Sequence, residues 1–110
     1  MRYALLICHD ENAITGTDPG RVAGFDALYQ RLGDRLLDGI RLRPTTTATA
    51  VRVRDGGVVI ADGPFAETKE QIAGVMIVEC ADRSEAIQVA SQVPAAHYGT
   101  VEVRPVWESS

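Results

Sequence analysis

Missing from this 110-residue chain are long hydrophobic runs, an excess of positive charge and every familiar cofactor or nucleophile motif. The apolar N-terminal run from Tyr3 to Cys8 is only about a strand long. A membrane-spanning helix needs ~20 apolar residues, and no cleavable signal pattern surrounds the run, so a cytoplasmic location with no membrane partner is expected. Acidic residues outnumber basic ones by 15 to 11, giving a net charge of −4 that offers a phosphate backbone no general attraction. Nucleic-acid binding is not expected. The two cysteines, Cys8 and Cys80, both lie inside apolar runs and not at metal-like spacing, so they read as buried thiols and not as a disulfide or metal pair. There is no glycine-rich nucleotide loop, nucleophile elbow, metalloprotease helix or redox Cys pair, and no cofactor or metal is expected.

What is present is ordinary for a packed domain. Hydrophobic residues make up 45% and charged residues 24%, and the length predicts a single domain over residues 1–110. Residues 2–8 read as a strand, and Asn12 to Gly20, rich in Gly, Thr, Asp and Pro, as a loop. Val22, Phe25, Leu28, Tyr29, Leu32 and Leu36 recur at three- and four-residue steps and predict a helix that Gly39 is placed to end. Ala50, Val51 and Val53 alternate with Arg52 and Arg54 in a half-exposed strand, and Asp55-Gly56-Gly57 turns it into Val58, Val59 and Ile60. Gly74 to Cys80 reads as a strand. Asp82, with Glu85 three residues on, resembles a capping box before a second helix over roughly Arg83 to Val93. Val101, Val103 and Val106 give a last strand that Pro105 marks as an edge or an end.

The resulting order predicts an α+β fold: a ferredoxin-like βαββαβ antiparallel sheet with both helices on one face and an added β-hairpin elaborating the second strand. The first and third core strands are central in such a sheet, and here both are apolar on both faces. Two short helices can cover only one face, so a homodimer through the other face is expected.

Between the hairpin and the Gly74 strand lies Asp62-Gly63-Pro64-Phe65-Ala66-Glu67-Thr68-Lys69-Glu70-Gln71. Gly-Pro breaks the strand and Pro64 is suited to open a helix, which would place Glu67 and Glu70 in its first turns. Asp62 is the leading candidate for chemistry, as a general base or hydrogen-bond acceptor at a strand end, although Asp before Gly also shapes turns. Glu67, Lys69 and Glu70 could supply an acid, a cation and an orienting carboxylate, or form a solvated helix face. His9, at the end of the first strand, and His97, just before the last one, could each move a proton near neutral pH. His9, Asp10 and Glu11 alternate in direction along extended chain and are not expected to share a metal ion. The pairs Arg41 and Arg43, and Arg52 and Arg54, could hold an anion or solubilise a strand edge. Phe65, Tyr98 and Trp107 could line an apolar pocket at a subunit boundary or serve as packing.

The Asp62–Gln71 run, with Thr49 to Gly56 before it and Pro94-Ala95-Ala96 leading to Gly99 to Val106 after it, resembles the DGPF branch of the YCII-related family over nearly the whole chain. The resemblance implies a dimeric α+β barrel with a ligand cleft between sheet and signature loop. It marks Asp62 as important and runs through Glu67, Lys69 and Glu70; with the chain's own residues added, the catalytic candidates are Asp62, His97 and His9, and the ligand-binding candidates Phe65, Glu67, Lys69 and Arg104. Relatives outside this branch tend to carry a His on or near the first helix, whereas this chain has none between Arg21 and Asp38. Two functions follow. One is a small dimeric accessory or binding module holding a small molecule without turnover. The other is a cofactor-free lyase or isomerase acting on a small cyclic or aromatic compound through Asp62 and a His. The first is the reading favoured.

Overall fold

A computed structural model describes residues 1–13 and 18–108. Part of the expected Asn12–Gly20 loop, residues 14–17, lies outside the described residues. The elements are β1 (Arg2–His9), α1 (Pro19–Leu32), β2 (Leu36–Arg41), β3 (Thr49–Arg54), β4 (Gly57–Asp62), β5 (Gln71–Glu79), α2 (Arg83–Ser91) and β6 (Thr100–Pro105), with a 3₁₀ turn at Pro94–His97 before β6. The main sheet runs β2-β5-β1-β6 with every neighbouring pair antiparallel, and β3 and β4 form a separate two-stranded ribbon. An antiparallel sheet in this order with two helices is consistent with a ferredoxin-like fold.

The two central strands set the layers. Tyr3, Leu5 and Ile7 of β1 face Val78, Met76 and Gly74 of β5 in register, and all six are buried beneath the helices. Leu28 and Leu32 of α1, Ala86, Val89 and Ala90 of α2, and Val93 and Ala95 complete that core. Each fully buried Leu, Met or Val contributes roughly 1.5–3 kcal/mol of transfer free energy, so this one layer carries most of the hydrophobic stabilisation. Ala4, Leu6 and Cys8, with Val75 and Ile77, point to the opposite face and are only partly covered. The molecule measures 47 × 41 × 20 Å, and its thin dimension is that of one sheet plus one helix layer.

Local chemistry explains where elements start and stop. Asp18 caps α1, its Oδ1 accepting the Gly20 N–H at 2.8 Å and the Arg21 N–H at 3.3 Å, with Pro19 at the first helical position. Asp82 caps α2 by accepting the Glu85 N–H at 2.9 Å, and the Glu85 carboxylate reaches back to the Ala81 N–H at 3.3 Å. Asp55 and Gly56 both have positive φ, as a two-residue hairpin turn between β3 and β4 requires.

Three expectations are corrected. The first helix does not run to Gly39: Gly33 adopts φ 53° and its N–H returns to the Tyr29 carbonyl, so α1 ends at Leu32. Leu36–Arg41 is then free to become β2, with Gly39 in its middle, and it is this strand, not Ala50–Arg54, that supplies the second core strand. The hairpin therefore does not elaborate a sheet strand; it stands apart. Nor do residues 63–70 form a helix. Gly63 adopts φ 92°, and Thr68 Oγ1 donates to the Glu70 carbonyl at 2.6 Å while Gln71 Nε2 donates to the Thr68 carbonyl, local bonds that compete with helical ones. Glu67 and Glu70 consequently share no helical face.

Gly99 presses against the end of β1 so closely that a Cβ there would lie 2.1 Å from the Cys8 carbonyl oxygen, a backbone atom that cannot turn aside. At Gly57 an added Cβ would meet the Arg54 carbonyl at an ordinary 3.6 Å. Gly99→Ala should lower the melting temperature by about 8 °C or more, and Gly57→Ala by less than about 4 °C, when both are compared by scanning calorimetry.

Candidate functional site

β5 carries one extra residue opposite β1: Ile7 pairs with Gly74 but Cys8 pairs with Ile72, leaving Ala73 as a bulge. Bulges bend a strand and re-aim its side chains, and this one lies where the sheet meets the first turns of α1. The Ala73 carbonyl accepts the Leu42 N–H at 2.8 Å, which draws the chain after β2 across the end of the sheet. A cleft of about 540 Å³ opens between α1, this end of the sheet and the following loop. That volume is within the ~300–1,000 Å³ usual for small-molecule sites.

The lining divides by chemistry. Ile7, Ile40, Ala73 and Gly74 make an apolar floor, Val22, Phe25 and Leu42 add apolar walls, and His9, Glu11, Asn12, Asp18, Arg21, Asp26, Tyr29, Arg41, Thr46 and Tyr98 supply the polar groups. Val22, Phe25 and Tyr29 belong to the apolar stripe of α1, but only Leu28 and Leu32 of that stripe are fully buried; the others wall the cleft. Phe25 and Tyr29 pack with ring centroids 6.2 Å apart. Burial, reinforced by the Asp26 charge, pushes the Tyr29 phenol above its ordinary pKa, so its hydroxyl is a hydrogen-bond donor at any physiological pH. The Arg21 guanidinium lies over the Tyr98 ring, 5.5 Å from its centroid, and pairs with Asp18 at 3.7 Å.

His9 is the distinctive group. It alternates onto the helix-facing side of β1, opposite Gln71, with its ring 6.1 Å from that of Tyr98. Among the described residues its Nδ1 is the one buried side-chain nitrogen or oxygen without a hydrogen-bond partner. Such an orphan costs roughly 1–3 kcal/mol and calls for an explanation.

Glu11 holds the loop that closes one side. Its Oε1 accepts the Thr45 N–H at 2.8 Å and its Oε2 the Thr45 hydroxyl at 2.6 Å, while its own N–H donates to Gln71 Oε1 at 2.9 Å. Pro44 and Thr46, on either side of Thr45, line the cleft. Gln71, the last residue of the Asp62–Gln71 run, thus braces the cleft from below. Glu70 extends the brace to β6 by accepting the Thr100 hydroxyl at 2.7 Å.

The candidates read from the sequence are scattered by the fold. His9, Arg41 and Tyr98 line the cleft. His97 lines a broad second groove of about 520 Å³ between α1 and the 3₁₀ turn, which shares Asp18, Arg21 and Tyr98 with the cleft. Asp62 ends β4, exposed, and lines neither cavity. Phe65, 80% exposed, and the exposed Glu67 and Lys69 follow it outside both. Arg104 is on the outer face of β6, its Nε 2.6 Å from Glu102 Oε2. Arg52 and Arg54 lie on the ribbon, and Trp107 is 93% exposed beyond β6. Sequence reasoning missed Glu11, Thr45 and Gln71, whose contacts span 34 and 60 positions. It placed Phe25 and Tyr29 in the core stripe. Among the described residues no group of His, Cys, Asp and Glu is arranged to hold a metal, and no helix is long and apolar enough to cross a membrane.

Residues 1–110 match the YCII-related domain, and the chain belongs to that family. It is also 34% identical over 115 residues to an uncharacterized protein of Rhizobium meliloti (strain 1021), covering 96% of this chain and 92% of that protein.

Two expectations follow from the geometry. Glu11→Ala removes two charge-assisted acceptors from the Thr45 loop and should cost about 1–3 kcal/mol in urea unfolding, with amide exchange at Thr45 accelerated in the native protein. Cys8 and Cys80 both have thiol pKa values raised above the ordinary one, in each case chiefly by burial. Below the ordinary value both folded and unfolded thiols keep their protons. Above it the unfolded chain ionises first, so stability should fall as pH rises from the ordinary thiol pKa through the raised one, and less steeply in Cys8→Ser, as urea melts between pH 7.5 and 10 would show.

Proposed function

We propose that this YCII-related protein is a small-molecule-binding module whose ligand occupies the cleft between α1 and the bulged end of the sheet. The observation that carries this reading is the meeting there of an apolar floor with His9, whose buried Nδ1 has no partner among the described residues. The ligand chemistry follows from the lining: a compact, largely apolar or aromatic body against Val22, Phe25, Ile40 and Leu42, with a polar or anionic group met by the Tyr29 hydroxyl and the Arg41 guanidinium. The acid/base alternative pairs Asp62 with an imidazole. Because Asp62 lines neither cavity, binding without turnover is the reading we adopt. The Asp62-Gly63-Pro64-Phe65 sequence supports placing the chain in the DGPF branch, with the end of its signature acting as a brace through Glu70 and Gln71.

The protein works, in the same proposal, as a homodimer joined through the outer face of the sheet. The support is the apolar set Ala4, Leu6, Cys8, Val75 and Ile77 on the face that neither helix covers.

An aromatic sulfonate dye such as 1-anilinonaphthalene-8-sulfonate has the proposed combination of apolar body and anionic head. It should bind with saturable fluorescence at one site per chain. Val22→Trp, at a partly exposed helix position on the cleft wall, should weaken it at least tenfold without lowering the melting temperature, and Arg41→Ala should weaken it several-fold. Unchanged dye affinity in folded Val22→Trp would place binding elsewhere and remove the proposal.

A further inference from the structure

We propose that the β3–β4 ribbon is an arm that lays its apolar face on a second copy of the chain. Pairing places Val51 opposite Ile60 and Val53 opposite Val58, so these four side chains share one face of the ribbon, and they are 60%, 66%, 61% and 66% exposed in that order. The other face carries Arg52 and Arg54. An isolated two-stranded hairpin is at best marginally stable in water, yet this one keeps six regular residue pairs and a turn with positive φ at both central residues. A covering surface would account for that regularity, and the ribbon's exposure shows that the described residues of its own body do not supply one.

The same chain supplies a matching need. The outer sheet face is apolar at its centre and only partly covered, and Phe65, three residues beyond β4, is bare. One ribbon face amounts to an apolar patch on the order of 300–600 Å², the size that marks an interaction site. Two arms and two paired sheet faces together reach the ~1,200–2,000 Å² that a stable dimer requires. In a two-fold assembly each arm reaches past the seam to the rim of the other copy's sheet, and the contact is made twice. This inference rests on the homodimer proposed above and adds to it the element that fastens it.

Sedimentation equilibrium on four proteins separates the two ideas. Val51→Glu combined with Ile60→Lys replaces a directly opposed apolar pair by an opposed ion pair, which preserves the ribbon but not its apolar face. It should weaken dimerisation at least 100-fold while leaving the melting temperature of the diluted monomer unchanged. Val59→Lys, on the arginine side of the ribbon, should change it less than threefold, and Leu6→Lys in the outer sheet face should abolish it. A wild-type dimer broken by Leu6→Lys but indifferent to the ribbon pair would overturn the arm and leave the homodimer standing. Equal weakening by Val59→Lys would also overturn it, because the contact would not be face-specific. A wild-type monomer at every concentration would remove both. Amide exchange gives an independent reading: protection at Val51, Val53, Val58 and Ile60 should rise with protein concentration, and its failure to do so counts against the arm.

Discussion

The pairing of β1 with β5 is the constraint from which the other features follow. Both strands are apolar on alternate residues in both directions, so burying one side beneath α1 and α2 necessarily leaves the second side looking for cover. Among the described residues no second layer is packed on that side, where Ala4, Leu6, Cys8, Val75 and Ile77 stay partly exposed. The covered side supplies the stability of the protomer through Leu5, Leu28, Met76, Val78, Val89 and Val93. The other side supplies the apolar surface on which the proposed homodimer rests. The cleft depends on the same pairing, because it opens where the β1–β5 register slips by one residue at Ala73 and the two strands cease to be a flat floor.

Stability and site geometry are coupled through a short chain of hydrogen bonds. Thr45 is held by Glu11, Glu11 by Gln71, and Gln71 stands opposite His9 on the neighbouring strand. The Asp62–Gln71 run therefore reaches the cleft by its last residue, as a brace, while its first residues sit at the foot of the ribbon. One continuous stretch of sequence links the element proposed to join two copies with the element that shapes the proposed site. The ion pairs, by contrast, are largely exposed, and those between Arg2 and Glu108 or Arg104 and Glu102 add little in water.

Much of the fold was legible because it is written in local chemistry. The double-faced apolar strands at Tyr3–Cys8 and Gly74–Cys80, the Asp55-Gly56 turn, the Asp82 cap and the closing Pro105 each declare themselves within a few residues. β2 did not, because Leu32 and Leu36 stand four apart and continue the helical period, and only the positive φ of Gly33 breaks it. Pro64 and the glutamates after it read as a helix start, but Thr68 and Gln71 spend their hydrogen bonds on the backbone nearby. Of the candidates read from the sequence, His9, Arg41 and Tyr98 are the ones that line the cleft. The bulge at Ala73 follows from a register between strands more than 60 positions apart, and the glutamate that holds the loop makes contacts that no spacing announces.

Gly74 occupies the cleft floor on β5, and a Cβ there would come within 2.7 Å of the Ile40 carbonyl oxygen on β2. The hollow is thus partly the imprint of a missing methyl group, and that methyl cannot be added without parting two strands. Natural variation that would ordinarily narrow such a hollow from beneath is barred by the backbone itself. Position 74 is therefore closed to descendants of this sequence as a place to retune what the cleft accepts, whereas its walls on α1 and the loop after β2 stay open to change, and divergence in selectivity should be recorded there sooner than at position 74.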